Sequence, residues 1–273
     1  MNELQHLAII CEDRQGVATA EISREAEQVG GGWMTFGGKN SWANQACGLG
    51  MQEPVSDDDL DRFVDFYVSR GVEPRIEVCS YADKALLTGL AKRAFQLQEF
   101  ENVFARRMQP NEDLRATHPH GWPDNLEIFP VDPTNQRLVE TYVEVSSSGF
   151  RKEGEPVTPQ MSELIINSLQ HEKTKAFLAS LNGEVVGAGG MEAVPPTACL
   201  CGASVLKEAR RQGIQTALVI RRLEHARDTG CQWGTITSQP GIPTERNAQR
   251  LGFFLAYSKV VMVMPGPELE PSP

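Results

Sequence analysis

The residue types and spacing best suited to chemistry lie in one run, Val205-Leu206-Lys207-Glu208-Ala209-Arg210-Arg211-Gln212-Gly213-Ile214-Gln215-Thr216-Ala217-Leu218. The chemistry it offers is anion binding. The first N–H groups of a helix have no intrahelical partner, the helix dipole adds partial positive charge there, and a glycine lets a ligand reach the main chain with no Cβ in the way. Gly213 occupies that point, and Arg210 and Arg211 add two fixed charges beside the donors. A diphosphate would suit such a site. On spacing alone, an ordinary strand-to-helix turn with a glycine and two solubilising arginines reads the same way.

Such a run needs a strand before it and a helix after it. Residues 198–206 are apolar and β-prone, and beyond the turn Val219, Ile220, Leu223 and Ala226 share one helical face that stops at Gly230. Upstream, the pattern predicts a strand over 126–129, a helix over about 133–147, a loop over 149–156 and a Thr158-capped helix carrying Met161, Leu164, Ile165 and Leu169. A hairpin of strands 175–181 and 184–193 turns on Asn182-Gly183, a strong type I′ signal. Downstream come a strand over 233–237, a short helix over 243–251 and a last strand over 253–264; a Pro/Glu-rich tail from Pro265 is expected to be disordered.

The run resembles motif A of the GNAT superfamily of N-acetyltransferases, Arg/Gln-x-x-Gly-x-Gly/Ala after a strand ending in an aliphatic residue. Val205 lies five residues before Arg210, Gly213 takes the first glycine position and Ala217-Leu218 continue the helix. Gln215 stands at the second small position, where its side chain must turn away from the ligand so that its N–H can serve. Asn247-Ala248-Gln249-Arg250-Leu251-Gly252-Phe253 is similar to the family's last motif, and the order of elements over 125–264 is that of the family fold. The resemblance implies acetyl-CoA as co-substrate and transfer of its acetyl group to an amine of a small molecule or peptide, by direct attack in a ternary complex. It implies that the backbone of Ser204, Val205 and Leu206 pairs with the pantetheine arm, and that Arg210, Arg211, Gln212, Gly213, Ile214, Gln215 and Thr216 hold the diphosphate.

The acid and base are less legible. Many family members carry a tyrosine four residues before the Gly-Phe pair, where this chain has Ala248. Tyr257 is the nearest tyrosine, either a substitute or a strand aromatic beside the core. Glu192, among apolar neighbours near a strand end, is the candidate base or a solvated edge residue. Asn247 either orients the cofactor arm or caps its helix. Phe150, Arg151 and Trp233 are candidates for the acceptor pocket, because the loop between the first two helices overlies that site in the family. A non-catalytic acetyl-CoA-binding sensor or interaction protein, and a ligand-free structural protein, are the competing readings.

The first half repeats part of this order. A helix is expected over 18–29 ending at Gly30-Gly31-Gly32, then short strands over 32–36 and 46–51. A helix capped by Ser56 and loaded with Asp57-Asp58-Asp59 ends at Gly71, and a strand (74–79), a helix (83–94) and a strand (97–106) follow. Setting Leu90-Ala91-Lys92-Arg93-Ala94 over Asn247-Ala248-Gln249-Arg250-Leu251 aligns Ala91 with Ala248, Arg93 with Arg250, Phe100 with Tyr257 and Val103 with Val260 without a gap, which points to a duplication. Where the second copy is basic, the first has Gln52-Glu53-Pro54-Val55-Ser56-Asp57-Asp58-Asp59 and would repel a pyrophosphate. The expected architecture is α+β: two GNAT-like domains, each a mixed twisted sheet flanked by helices, with a degenerate copy over 1–110, a linker over 111–124, the acetyl-CoA-binding copy over 125–264 and the tail over 265–273.

Composition sets the outer bounds. The chain has 273 residues, 40% apolar and 23% charged, enough for one large or two ordinary cores. A net charge of −10 argues against nucleic acid or an anionic membrane as partner and favours a cationic substrate. The six cysteines form no CxxC pair and the histidines no ligand spacing, so no metal is expected; Cys199 and Cys201 are read as small core residues. No stretch approaches ~20 uninterrupted apolar residues and no export signal is read, so a cytoplasmic location is expected.

Overall fold

The computed structural model describes residues 2–152 and 154–271. In chain order the elements are α1 (Glu3–Ile22), β1 (Glu25–Val29), β2 (Gly32–Phe36), β3 (Gln45–Cys47), α2 (Asp57–Val68), β4 (Arg75–Cys79), α3 (Lys84–Lys92) and β5 (Gln96–Arg107). They continue with β6 (Leu126–Pro130), α4 (Gln136–Ser147), α5 (Pro159–Gln170), β7 (Thr174–Leu181), β8 (Glu184–Val194), β9 (Thr197–Val205), α6 (Ile214–Asp228), β10 (Trp233–Ser238), α7 (Pro243–Arg250) and β11 (Phe254–Val263). The run β4-α3-β5 recurs as β10-α7-β11, in the register of the sequence alignment.

Contacts divide the chain into two compact units, Met1–Val103 with Leu255–Pro273, and Phe104–Phe254. The boundary expected at 110 therefore falls inside β5, and most of β11, assigned by sequence to the second domain, belongs to the first unit.

In the first unit the strands run β1-β2-β3-β4-β11-β5. β3 and β4 are parallel, while the pairs β1/β2, β2/β3 and β4/β11 are antiparallel. The helix expected over 18–29 is two elements. Asn2 accepts the Gln5 N–H to start α1 and Ser23 closes it, after which Glu25–Val29 pairs with Gly32–Phe36. Gly30 and Gly31 both have positive φ (53° and 76°), the backbone of a two-residue hairpin turn and not of a helix stop. The start of α1 escaped the sequence pattern because its buried face carries Glu12, Gly16 and Thr19 beside Leu7 and Ala8. α2 begins as expected, with a full capping box between Ser56 and Asp59. The tail is ordered through Glu270: the Glu73 N–H donates to the Glu270 carbonyl and the Glu270 N–H to Gly71, at 3.0 and 2.9 Å. Ser272 and Pro273, also placed in the tail by sequence, lie outside the described residues.

The polar face of α1 meets buried charge. Lys259 Nζ, fully buried, lies 2.8 Å from Glu77 Oε2, 3.2 Å from Glu12 Oε1 and 2.6 Å from Gln15 Oε1. Arg75 adds a second cation, 3.5 Å from Glu77 and 3.6 Å from Glu99. Lys259 and Arg75 together hold the Glu77 carboxyl below its usual range despite its burial. Burial pushes Glu101 up to about 7, with the Glu77 charge acting in the same direction. A carboxyl raised in the folded state binds its proton more tightly there than in the unfolded chain. Its stabilisation is thus full below about 4.5 and lost as pH rises through about 7. The expected outcome is that wild type gains stability over Glu101→Gln, by up to about 3 kcal/mol, between pH 7.5 and pH 4.5. Urea denaturation of both proteins at several pH values checks this; parallel pH curves would contradict it.

In the second unit the order is β5-β10-β9-β8-β7-β6, only the Phe104–Arg107 end of β5 taking part. The β7/β8 hairpin turns on Asn182 and Gly183, both with positive φ as expected for type I′. α6 covers one face of this sheet, packing Ile214, Ala217, Leu218, Leu223 and Ala226 against Phe177, Met191, Leu200 and Val205. α4 and α5 cover the other, with Val139, Tyr142 and Leu169 over Ala176, Leu178 and Ala188. The segment expected to be a linker packs in this unit, with Leu114 in its core and His118 buried.

Candidate functional site

The site is built where two parallel strands part. β9 and β10 are in register only from Thr197↔Trp233 to Cys199↔Thr235, yet β9 runs on to Val205 and β10 to Ser238. On its other side β9 stays paired: Gly187 faces Val205, Ala188 faces Ser204, and the Leu206 N–H donates to the Val186 carbonyl at 2.8 Å. An irregularity between Ala188 and Gly190 breaks that register opposite Gly202, whose φ is +54°. Because bonding direction alternates along a strand, the Val205 main chain faces the open side. A chain-like ligand with amide groups could pair there as an added strand does.

At the end of β9 the chain makes a short 3₁₀ turn, Lys207–Ala209, and enters α6 through two left-handed residues, Arg211 (φ 64°) and Gly213 (φ 79°). Left-handed Gly213 followed by helical Ile214 turns successive N–H groups to one side, an arrangement that cradles anions. Gly213 caps α6 with no side-chain hydrogen bond, so the first-turn donors are not consumed by a capping residue. The contrast with α2 is direct: there the Ser56 hydroxyl takes the Asp59 N–H and the Asp59 carboxylate takes the Ser56 N–H, at 3.1 Å each. Arg210, Arg211 and Gln212 are exposed. Arg210 Nε donates to the Val205 carbonyl at 3.0 Å, which ties the guanidinium to the strand end beside the donors.

Gln215 stands in the first turn of α6. Its side-chain oxygen accepts from Asn247 Nδ2 at 2.8 Å, turned toward α7. Asn247 therefore neither caps its helix, which starts after Ile242, nor stands apart from the loop. The group at position 215 available to an anion is the backbone N–H, so Gln215→Gly is expected to leave the affinity of the loop for a diphosphate anion within about threefold of wild type. Calorimetric titration of both proteins tests this.

The remaining candidates scatter. The Ser204 hydroxyl shares a 2.8 Å hydrogen bond with Ser148, bringing the end of α4 onto β9. Phe150 is exposed on the following loop, and Glu153 of that loop lies outside the described residues. Arg151 folds onto α4, with Nη2 2.6 Å from Glu144 Oε1 and Nε 3.2 Å from the Ser147 hydroxyl. Trp233 opens β10. It lies at the closed end of the β9/β10 pair, buried against Phe254 and under the Arg107 guanidinium. Tyr257 belongs to the first unit, buried, with its hydroxyl donated to Glu12 Oε1 at 2.7 Å.

Glu192 lies opposite Cys199, at the last paired position before β9 and β10 part, and is half-buried. Cys199 is likewise half-buried, not the core residue that alternation suggested, whereas Cys201 is exposed overall but has its thiol close to Gly190 and shielded from water. Desolvation raises the Cys201 thiol, and the charge of Glu192 raises it further, which places that carboxylate within electrostatic reach of the strand break. Two residues at the break were not singled out by sequence. Arg222, fully buried on α6, donates to the carbonyls of Leu218, Gly190 and Cys201 at 3.0, 2.8 and 3.2 Å. The Tyr142 hydroxyl abuts Gly190, with burial pushing it above the usual phenol range. Both read as ordinary helix positions, since the sequence does not reveal the carbonyls and the glycines they meet.

Among the described residues, no group of three or more His, Cys, Asp or Glu is placed to hold a metal ion, and no helix is long and apolar enough to cross a membrane. Residues 136–253 match the model of the Acetyltransferase (GNAT) family. No curated protein sequence matches the chain. Among solved structures, a GCN5-related N-acetyltransferase from Kribbella flavida has a TM-score of 0.70 at 15% identity, covering 97% of each chain. A functionally unknown conserved protein from Staphylococcus epidermidis has a TM-score of 0.60 at 12% identity over 89% of this chain and 94% of that one. A tandem GNAT protein from the clavulanic acid biosynthesis pathway has a TM-score of 0.54 at 13% identity over 72% and 65%.

Proposed function

The chain has the GNAT acetyltransferase fold, with the family region in its C-terminal half, and from that premise we propose that it transfers the acetyl group of acetyl-CoA to an amine. The observation that carries this reading is the start of α6, a helix N-terminus with no side-chain cap, two left-handed residues and exposed arginines beside it. The diphosphate would accept from the N–H groups of Gly213 to Thr216, and the pantetheine amides would pair with the open edge of β9 around Val205. The thioester would then lie near the point where β9 and β10 part, beyond Cys199↔Thr235 and beside the β8/β9 irregularity opposite Gly202.

An amine must be neutral to attack, so its proton has to leave before or during bond formation. Glu192 is the carboxylate at the break and takes that proton, directly or through one water. The amine nitrogen bonds to the carbonyl carbon, the C–S bond breaks, and the sulfur leaves as a thiolate that picks up a proton to give free CoA. The charge of −10 favours a cationic acceptor over an anionic one. The first unit is read as a non-catalytic copy, because the N-terminus of its α2 is filled by its own capping box and three aspartates.

A second reading, an acetyl-CoA sensor without turnover, is favoured by one observation. The position where family members carry a tyrosine is Ala248, buried and without a polar group. Thiol release from acetyl-CoA across a panel of amines separates the two. Amine-dependent release that falls at least 100-fold in Glu192→Gln supports the enzyme with that base. Saturable cofactor binding with no release above the amine-free rate would contradict it.

A further inference from the structure

The segment over 109–123 is not a connector but a strap laid antiparallel along α6. Arg227 Nη1 donates to the Glu112 carbonyl at 2.5 Å, Arg115 Nε lies 3.1 Å from Glu224 Oε1, and His118 Nε2 lies 3.2 Å from the Gly213 carbonyl. The three contacts descend α6 from its last turn to its cap as the strap ascends. The strap is held in place by more than these bonds. Leu114 is buried in the core under it, Arg115 stacks over Trp122 at 4.7 Å, and Trp122 Nε1 donates to the Leu126 carbonyl at 3.3 Å.

The ring of His118 is fixed at both nitrogens. Nδ1 faces the His120 N–H at 3.3 Å and so accepts; Nε2 faces a carbonyl and so donates. The receiving carbonyl is that of Gly213, which also accepts the Ala217 N–H at 3.0 Å as the first helical bond of α6. The imidazole fills the space beside the glycine as well: a Cβ on Gly213 would lie 2.9 Å from His118 Cε1. A carbonyl held from two directions fixes the peptide plane that follows it, and with it the direction of the Ile214 N–H.

We propose that His118 is a positioning residue for the anion loop, holding the Gly213 carbonyl so that the first N–H groups of α6 point together at the diphosphate. This rests on the acetyl-CoA reading for its ligand, though not for its geometry. A loop with two left-handed residues, one of them an arginine, does not hold its shape through backbone preference alone. The strap supplies the missing restraint from outside the β9–α6 run.

The test uses the full chain as wild type, His118→Ala and His118→Gln, the last placing an amide N–H near the Nε2 position. Two measurements are made on each: exchange of the Ala217 amide without ligand, and calorimetric titration with CoA. His118→Ala should exchange Ala217 faster and bind CoA about five- to tenfold more weakly, one net hydrogen bond being worth that much. His118→Gln should recover both to within about twofold. Unchanged exchange and affinity in His118→Ala, or a Gln variant no better than the Ala variant in both, would overturn the proposal. If wild type binds no CoA, the acetyl-CoA reading fails by itself, and the exchange of Ala217 then decides the positioning claim alone: faster in Ala and restored in Gln supports it, unchanged in Ala overturns it.

Discussion

Lys259→Met is expected to destabilise the protein by about 3–5 kcal/mol, the range for breaking a buried ion pair by removing one partner. The ammonium is the closest cation to both Glu12 and Glu77, and all three side chains are buried. Without it, Glu77 keeps Arg75 at 3.5 Å, whereas Glu12 keeps the Tyr257 hydroxyl and Gln15 remains beside Glu77. Glu12, already raised by burial, then takes up a proton. Combining Lys259→Met with Glu12→Gln should return a large part of the loss, because the second change removes the stranded charge. Urea denaturation of the three proteins reads this directly. A loss below about 1 kcal/mol in the single variant, typical of a solvent-exposed pair, would mean that the network is hydrated and not buried.

Gly213→Asp is expected to lower CoA affinity at least 100-fold, through three effects that act together. Its φ of +79° is a conformation that side chains with a Cβ resist, the Cβ itself would strike His118, and the carboxylate would face the diphosphate. Gly213→Ala carries the first two effects without the third, so the difference between the variants isolates charge repulsion. Near-ultraviolet circular dichroism checks that both are folded. Affinity within tenfold of wild type in a folded Gly213→Asp would place the diphosphate elsewhere.

The second unit was the more legible half because its signals are local. Asn182-Gly183 specifies its turn through positive φ at both residues, Thr158 caps α5 by accepting from Met161, and Gly213 marks the strand-to-helix junction. The first unit hides its start for a physical reason. A helix whose buried face holds Glu12 and Thr19 lacks an apolar stripe, and the meaning of Glu12 emerges only when Lys259 arrives from the far end of the chain. The same limit applies to the site. Backbone donors could be inferred from a glycine and a helix pattern, but Arg222, Tyr142 and His118 act on particular carbonyls and glycines whose positions are tertiary facts. The partners of Arg151 and Trp233, Glu144 for one and Phe254 with Arg107 for the other, are tertiary facts of the same kind.

The central claim is that the N-terminus of α6, and not that of α2, receives the diphosphate of acetyl-CoA. Amide chemical shifts of the isotopically labelled full chain, followed while CoA is titrated, test it most directly. The account predicts saturable shifts concentrated at residues 213–217 and 203–206, with residues 57–60 at the start of α2 unmoved. Shifts centred on 57–60, or no saturable change at 213–217, would contradict it.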